Sequence, residues 1–402
     1  MFLKCLTMLG FKSFAERQEI EFSNGVTVLA GPNGCGKSNI VDAIKWVLGA
    51  HSPKELRVEK MEDVIFNGTE TRRASNAAEV ALIFSNETGI LPLDTPEVEI
   101  KRRLCRSGKS EYFINSTQVQ LKDLRELFWD TGIGKTAYWV MEQAKIDQIL
   151  YSKPEERRYL FEEVAGITRF KERGAEAKRN LAKTAENMRQ IELILSEIKH
   201  SLDSHHMTPK EFVETKERYD SLSNQMADLK EANKDLEDLT SEIQHEASKM
   251  FRSTYNRIKK NFRNIFYRLF DGGRAELRLS DTTNVLESNI EIFAKPPGKK
   301  LEHITLLSDD ERFMTAVSLL FAINMVTLNP FCLLDEIIDA ALNKANENSF
   351  VRLLQELSQI SQFVIITHNK NIIVAADTLL HVRMIEPGVT NIIQVTYQGS
   401  KD

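Results

Sequence analysis

The chain of 402 residues, 42% hydrophobic and 28% charged, is long enough for more than one domain and has the balance of a soluble protein. No stretch approaches 18 apolar residues and the N-terminus lacks a signal-peptide layout, so membrane insertion and export are not expected. A net charge of −5 gives no global nucleic-acid footprint, and four scattered cysteines (Cys5, Cys35, Cys105, Cys332) point to a reducing cytoplasm and against disulfides or zinc.

In chain order, the first informative block is a strand, a loop and a helix. Gly25 to Ala30 reads as a short buried strand and Asn39 to Leu48 as an amphipathic helix. Between them Gly31, Pro32, Asn33, Gly34, Cys35, Gly36, Lys37 and Ser38 fit the pattern GxxxxGK[ST]. Glycines let backbone N–H groups turn inward around phosphate oxygens without a Cβ in the way. Lys37 would reach the β and γ phosphates of ATP and Ser38 would hold Mg²⁺, with the helix aiming its positive end at the anion. A second Gly-Lys-Thr, at 134–136, is a decoy: the first glycine of the pattern would fall on Trp129. Further on, Lys101-Arg102-Arg103 and the stretch from Arg252 to Arg268, where Lys259, Lys260 and Arg263 lie among aromatics, are the local patches able to meet DNA.

From about Glu162 to Asp203 the spacing predicts a heptad helix, with Leu181, Met188, Leu195 and Leu202 at one seam position and Thr184, Ile191 and Ile198 at the other. After a loop containing Pro209 a second seam runs through Tyr219, Met226, Asn233 and Thr240, with Leu222, Leu229, Leu236 and Ile243. Two such helices make an antiparallel coiled-coil hairpin, each arm reaching roughly 50 to 60 Å at 1.5 Å per residue. The alternative is a pair of ordinary amphipathic helices on a core. Either way the chain leaves one domain and returns to it. The expected division is 1–160 for the N-terminal half of a head, 161–250 for the hairpin with its junction near 200–209, and 251–402 for the C-terminal half, the two halves completing one sheet.

The returning half carries the acidic partner of Lys37, about 300 residues away. Phe331 to Leu334 form an apolar strand ending in Asp335-Glu336. Asp335 can hold the hydration shell of Mg²⁺ while Glu336 acts as general base on the attacking water. The strand Phe363 to Asn369 brings His368 to its C-terminal edge, where open α/β sheets gather ligands.

Several blocks resemble the bacterial SMC (structural maintenance of chromosomes) ATPases: Gly10 to Phe14, Gly31 to Asn39, Lys60 to Gly68, Lys145 to Leu150, Phe161 to Ile167 and Glu386 to Val389. The likeness covers nearly the whole chain. It implies an α/β, ABC-type P-loop head, a mixed sheet with flanking helices, carrying a coiled coil. It implies a Q-loop glutamine at Gln143, also a metal ligand, a D-loop at Asp339 and a switch histidine at His368. Lys12 and Ser13 on the N-terminal strand, Asn39 after the loop, Arg57 of an arginine loop and Ser308 of the signature motif would contact nucleotide. The cofactors would be ATP and Mg²⁺, and the partners a second head across the ATP, a kleisin subunit and DNA, in a cytoplasmic, nucleoid-associated setting. Family members are far longer, with a hinge at the end of the coil; this chain reads as a head with its proximal coil.

Departures from that pattern bear on turnover. Leu-Ser-Gly-Gly-Glu is replaced by Leu307-Ser308-Asp309-Asp310-Glu311, putting two carboxylates where the partner's γ phosphate should approach. Val58 replaces a glycine, Trp139 and Ala144 replace Ser and Gly, and one residue more separates Glu336 from Asp339. Two readings follow. One is an ATP-hydrolysing head for chromosome condensation and segregation. The other is a nucleotide- or kleisin-binding module with impaired hydrolysis. A DNA-repair relative of the same superfamily is a third, which the blocks at 10–14 and 60–68 disfavour.

Overall fold

A computed structural model describes residues 1–128, 140–203, 208–327, 331–337 and 344–396. The strands in chain order are β1 Phe2–Leu9, β2 Gln18–Glu21, β3 Val26–Ala30, β4 Ala77–Ser85, β5 Glu97–Cys105, β6 Ser110–Ile114, β7 Thr117–Val119 and β8 Val140–Glu142 in the N-terminal part. The C-terminal part adds β9 Arg274–Leu279, β10 Ile290–Lys295, β11 Glu302–His303, β12 Phe331–Asp335, β13 Gln362–Ile366, β14 Thr378–Glu386 and β15 Val389–Thr396. The helices are α1 Lys37–Val47, α2 Leu121–Leu127, α3 Gln143–Tyr151, α4 Pro154–Val164, α5 Thr168–Asp203, α6 Pro209–Leu269, α7 Asp309–Thr327, α8 Lys344–Leu357 and α9 Lys370–Val374.

Contacts divide the chain into two compact units. The first comprises Met1–Arg158, Arg257–Ser280 and Asn289–Asp402; the second comprises Tyr159–Asn256 with Asp281–Ser288.

The first unit is built on a sheet of order β15-β14-β3-β13-β12-β8, in which β14, β3, β13, β12 and β8 are parallel and β15 closes the edge antiparallel. N-terminal strands β3 and β8 are therefore interleaved with C-terminal ones. β12 and β13 are buried at every residue and β3 at all but its last, the pattern of parallel strands covered on both faces. Gln362, one of three buried polar residues in these strands with Thr27 and Asp335, spends its amide on Leu3 N, Leu3 O and Ser23 O at 2.8–2.9 Å. Helix α1 begins at Lys37, two residues before the position its apolar pattern predicts. It packs Ile40, Val41, Ile44, Trp46 and Val47 into the main core.

A second, antiparallel sheet, β2-β1-β4-β5-β6-β7, shares that core, and a third, β11-β10-β9, completes the unit. In β5 the residues Val98, Ile100, Arg102 and Leu104 alternate inward. The Lys101-Arg102-Arg103 patch is thus broken: Arg102 is stacked between Trp46 and Tyr112, 4.7 and 4.9 Å from the ring centroids. Its Nη1 donates to Trp46 O in the last turn of α1 and to Ala50 O just beyond it, at 2.8 and 2.9 Å.

In the second unit, α5 and the adjoining length of α6 carry the two seams. Leu181, Thr184, Met188, Ile191, Leu195, Ile198 and Leu202 are all buried or half-buried while the residues between them are exposed, and the seam from Tyr219 to Ile243 behaves alike. An ion pair between Glu192 and Lys230 joins the two helices. Residues 204–207, within the expected junction at 200–209, lie outside the described residues.

Candidate functional site

The C-terminal ends of three adjacent parallel strands, β3, β13 and β12, open onto one place. β3 runs into the glycine loop, β13 into Thr367-His368, and β12 ends in Asp335-Glu336. Lys37 is 3% exposed and its ammonium donates to Gly31 O (2.8 Å) and Pro32 O (3.1 Å). His368 Nε2 lies 3.2 Å from Lys37 Nζ and 2.9 Å from Asn33 Oδ1. One ring nitrogen cannot both accept from Lys37 and donate to Asn33, so the tautomer decides which bond forms. Glu336 Oε1 is 3.8 Å from Lys37 Nζ. The structure thus brings together Lys37, Asn33, Glu336 and His368, four residues expected at the site from sequence.

The loop is shaped from behind. Gly36 has φ +100°, and a Cβ there would meet Thr390 Oγ1 at 2.4 Å and Ser13 Oγ at 2.9 Å. Thr390 Oγ1 is 2.8 Å from both Cys35 O and Ser13 Oγ. Both oxygens accept, so the single hydroxyl proton of Thr390 serves Cys35 O or Ser13 Oγ, and Asn39 Nδ2 donates to Ser13 Oγ at 2.8 Å. Cys35 is buried. On the open side, a Cβ on Gly34 would meet no described atom within 4 Å.

Charge gathers beside the loop. Asp42 is fully buried and accepts from Lys12 Nζ at 2.5 Å and Arg57 Nη2 at 2.9 Å. Lys12 gives a further bond to Leu56 O (2.6 Å) and Arg57 one to Ser38 O (2.9 Å). Burial lowers the pKa of Lys12 against the pull of Asp42. Burial also opposes the charge on Arg57, but Asp42, Asp335 and Glu142 outweigh it and its pKa rises. Lys12, Arg57 and Glu336 have φ of 47°, 54° and 51°, three of the six described non-glycine residues in the left-handed region, a cost that functional sites often carry.

Asp335 lies 4.0 Å from Arg57 Nη1, and its Oδ1 is buried without a hydrogen-bond partner among the described residues. Burial, more than its neighbours, pushes its carboxyl up to about 6. Arg57 pulls the value down, while Glu142 and Glu336 add to it.

These residues fit a nucleoside triphosphate with Mg²⁺: a lysine and backbone cradle for phosphate, space beside Gly34, and an orphaned buried carboxylate oxygen at a strand end. Among the described residues there is no cluster of three or more His, Cys, Asp or Glu that could hold a metal.

Other expected residues lie apart or out of view. Ser308 precedes α7, where its Oγ and N donate to Glu311 Oε2 at 2.8 and 3.2 Å, and no described bond of its side chain reaches the glycine loop. Asp309, 89% exposed, accepts from Arg312 at 2.5 Å. Gln143 opens α3, but its side chain is outside the described residues, as are Asp339, Trp139 and the 134–136 decoy. Sequence reasoning missed Asp42, Lys45, Glu142 and Thr390. The recurrence of Ser38, Asp42 and Lys45 at i, i+4 and i+7 on an otherwise apolar helix was a usable signal for the first two; nothing local marks Thr390.

A glycine loop with lysine after one parallel strand and an Asp-Glu pair at the end of a strand two places away define a P-loop nucleotide-binding fold of the α/β class. Within that class the chain belongs to the RecF/RecN/SMC N-terminal domain family, whose model matches residues 2–391. It is 48% identical over 203 residues to the chromosome partition protein Smc of Bacillus subtilis, covering 50% of this chain and 17% of that protein. With the Smc of Desulfitobacterium hafniense the figures are 50% over 202 residues, 50% and 17%. The chain thus spans about a sixth of the length of these relatives. Among solved structures, the Smc head domain with an extended coiled coil from Pyrococcus furiosus, bound to the C-terminal domain of ScpA, is 32% identical with TM-score 0.77, covering 98% of this chain and 96% of that one. The SMC head domain of Thermotoga maritima is 27% identical with TM-score 0.60, covering 99% and 100%.

Proposed function

We propose that this chain is the ATP-binding head of an SMC-type chromosome condensation and segregation ATPase, with its proximal coiled coil. The observation that carries the reading is the meeting of Lys37, Asp335, Glu336 and His368 at the ends of β3, β12 and β13. Gly31 to Asn39 would cradle the triphosphate, with Lys37 on its β and γ phosphates and Arg57 close by. Lys12 and Ser13 contribute by holding Asp42 and the underside of the loop. Ser38, Gln143 and Asp335 would hold Mg²⁺, which neutralises phosphate charge when bound. Glu336, beside Lys37, takes a proton from the attacking water, and His368 orients the terminal phosphate. A second head would complete each site through Ser308 and Asp339. A kleisin-type subunit, as ScpA is bound to the Pyrococcus head, and DNA are the further partners, in the nucleoid.

A second reading, nucleotide or kleisin binding without turnover, is favoured by one observation. Asp309 stands exposed at the start of α7, on the segment that would face the partner's phosphate. Binding of a fluorescent ATP analogue tests the common part: Lys37→Ala should abolish it, and undiminished affinity would overturn the site. Steady-state ATP hydrolysis separates the readings, since robust turnover by the unaltered chain sinks the second.

A further inference from the structure

Helix α1 carries a polar stripe that runs on past Ser38 and Asp42, the residues the nucleotide reading uses. Ser38, Asp42 and Lys45 share one face. Asp42 takes Lys12 and Arg57, and Lys45 holds the carboxylate of Glu142. Glu142 ends β8, where it is the register partner of Asp335 across the parallel β8–β12 pair. Such partners set their side chains on the same face of a sheet, with strands about 4.8 Å apart.

Two carboxylates therefore stand side by side at neighbouring strand ends. They are not equivalent. The Glu142 carboxylate is matched by Lys45, whereas the Asp335 side chain is 9% exposed, with Oδ1 unpartnered among the described residues. Glu142 also directly precedes Gln143, the first residue of α3.

We propose that the Lys45–Glu142 pair tunes the divalent-cation site, Glu142 adding its charge beside Asp335 where the Mg²⁺ of a nucleoside triphosphate is held and Lys45 offsetting that charge. Neither residue ligates the ion; both act through the field at Asp335. The inference rests on the nucleotide-binding reading. It differs from a purely mechanical role, in which the pair ties α1 to β8. A tie cut from either end loosens the same contact, so both single substitutions would change metal binding in one direction. A field responds with opposite signs, because one substitution removes a negative charge and the other a positive one.

The test is a Mg²⁺ titration of fluorescent ATP analogue binding to the full chain, with Mn²⁺ paramagnetic resonance in the presence of nucleotide as the direct metal readout. Glu142→Gln should raise the Mg²⁺ midpoint by roughly three- to tenfold, the scale of one partly screened charge near a divalent ion. Lys45→Met should lower it by a similar factor, and the double variant should return to within about twofold of the parent. If Lys45→Met fails to fold in a thermal melt, Lys45→Gln takes its place. Both single variants shifting the midpoint the same way, or neither shifting it, overturns the proposal while nucleotide binding persists. An unaltered chain that binds no nucleotide at any Mg²⁺ concentration overturns the nucleotide reading as well.

Discussion

Replacing Asp335 by Asn should separate what that carboxylate costs the fold from what it does for a cation. Burial among the parallel strands pushes its pKa up to about 6 from the ordinary 3.8. Each unit is worth about 1.4 kcal/mol, so carrying the charge costs the folded chain about 3 kcal/mol near neutrality. The sign follows from the direction of the shift. The folded state binds the proton more tightly than the unfolded one, so the cost is full above about pH 6, shrinks as pH falls toward 3.8 and is absent below it. Asparagine keeps the volume and drops the charge. With 1 kcal/mol worth about 2 °C in a unit of this size, Asp335→Asn should melt about 6 °C above the parent at pH 7.5 in EDTA. The gap should close as the pH approaches 4. Adding ATP and Mg²⁺ should raise the melting temperature of the parent and leave that of the variant almost unmoved. Calorimetry at four pH values, with and without nucleotide, measures all three. A variant that melts below the parent at pH 7.5, or a gap that ignores pH, would refute the reasoning.

Restoring glycine at Asp309 and Asp310 should recover ATP-dependent dimers. One carboxylate–phosphate contact at about 4 Å with an effective dielectric near 20 amounts to about 4 kcal/mol of repulsion, roughly a thousandfold in the dimer constant. Light scattering with ATP in a Glu336→Gln background reads it, and an unaltered chain that dimerises equally well sinks the idea. Arg102→Met should cost about 2 to 4 kcal/mol in urea, since it strands Trp46 O and Ala50 O and empties the slot between Trp46 and Tyr112. Arg102→Lys should recover little, because an ammonium cannot stack as a plane; a loss under about 1 kcal/mol for either would count against the cap. Burial pushes the thiols of Cys5 and Cys332 up to about 11 and about 12. At pH 8 roughly one in a thousand and one in ten thousand of them are thiolate. Native protein should therefore show one fast phase with a disulfide reagent, from half-buried Cys105, and lose it in Cys105→Ser.

The strands that carry the site are legible in sequence because parallel strands covered on both faces read as unbroken apolar runs. The loop, Asp335-Glu336 and His368 sit where those runs stop, so the pairing of segments 300 residues apart follows from chemistry rather than from periodicity. The seams are legible for a related reason: a heptad is a local code, and every seam residue is less exposed than its neighbours. What no local code reports is which cation meets which carboxylate. Lys12 and Arg57 converge on Asp42, Lys45 reaches Glu142 on another strand, and Thr390 from the last hairpin fills the space beside Gly36. Arg102 shows the opposite lesson, since Val98, Ile100 and Leu104 already mark position 102 as inward at period two.

The signature segment shows why a sequence rule can hold at one level and fail at the next. At the start of α7, Ser308 and Glu311 form a capping pair, and Asp309 and Asp310 put negative charge at the positive end of the helix. Each such carboxylate contributes about 0.3–1 kcal/mol to the helix. For the isolated chain Asp309-Asp310 is thus an improvement on two glycines, which would also lose more backbone freedom on folding. In the proposed head-to-head assembly the same positive helix end would be the attraction for a partner's phosphate, and the aspartates already satisfy it. On that reading the aspartates favour the isolated chain over the assembly. The signature would be a glycine-restored chain that melts lower alone and dimerises more tightly with ATP.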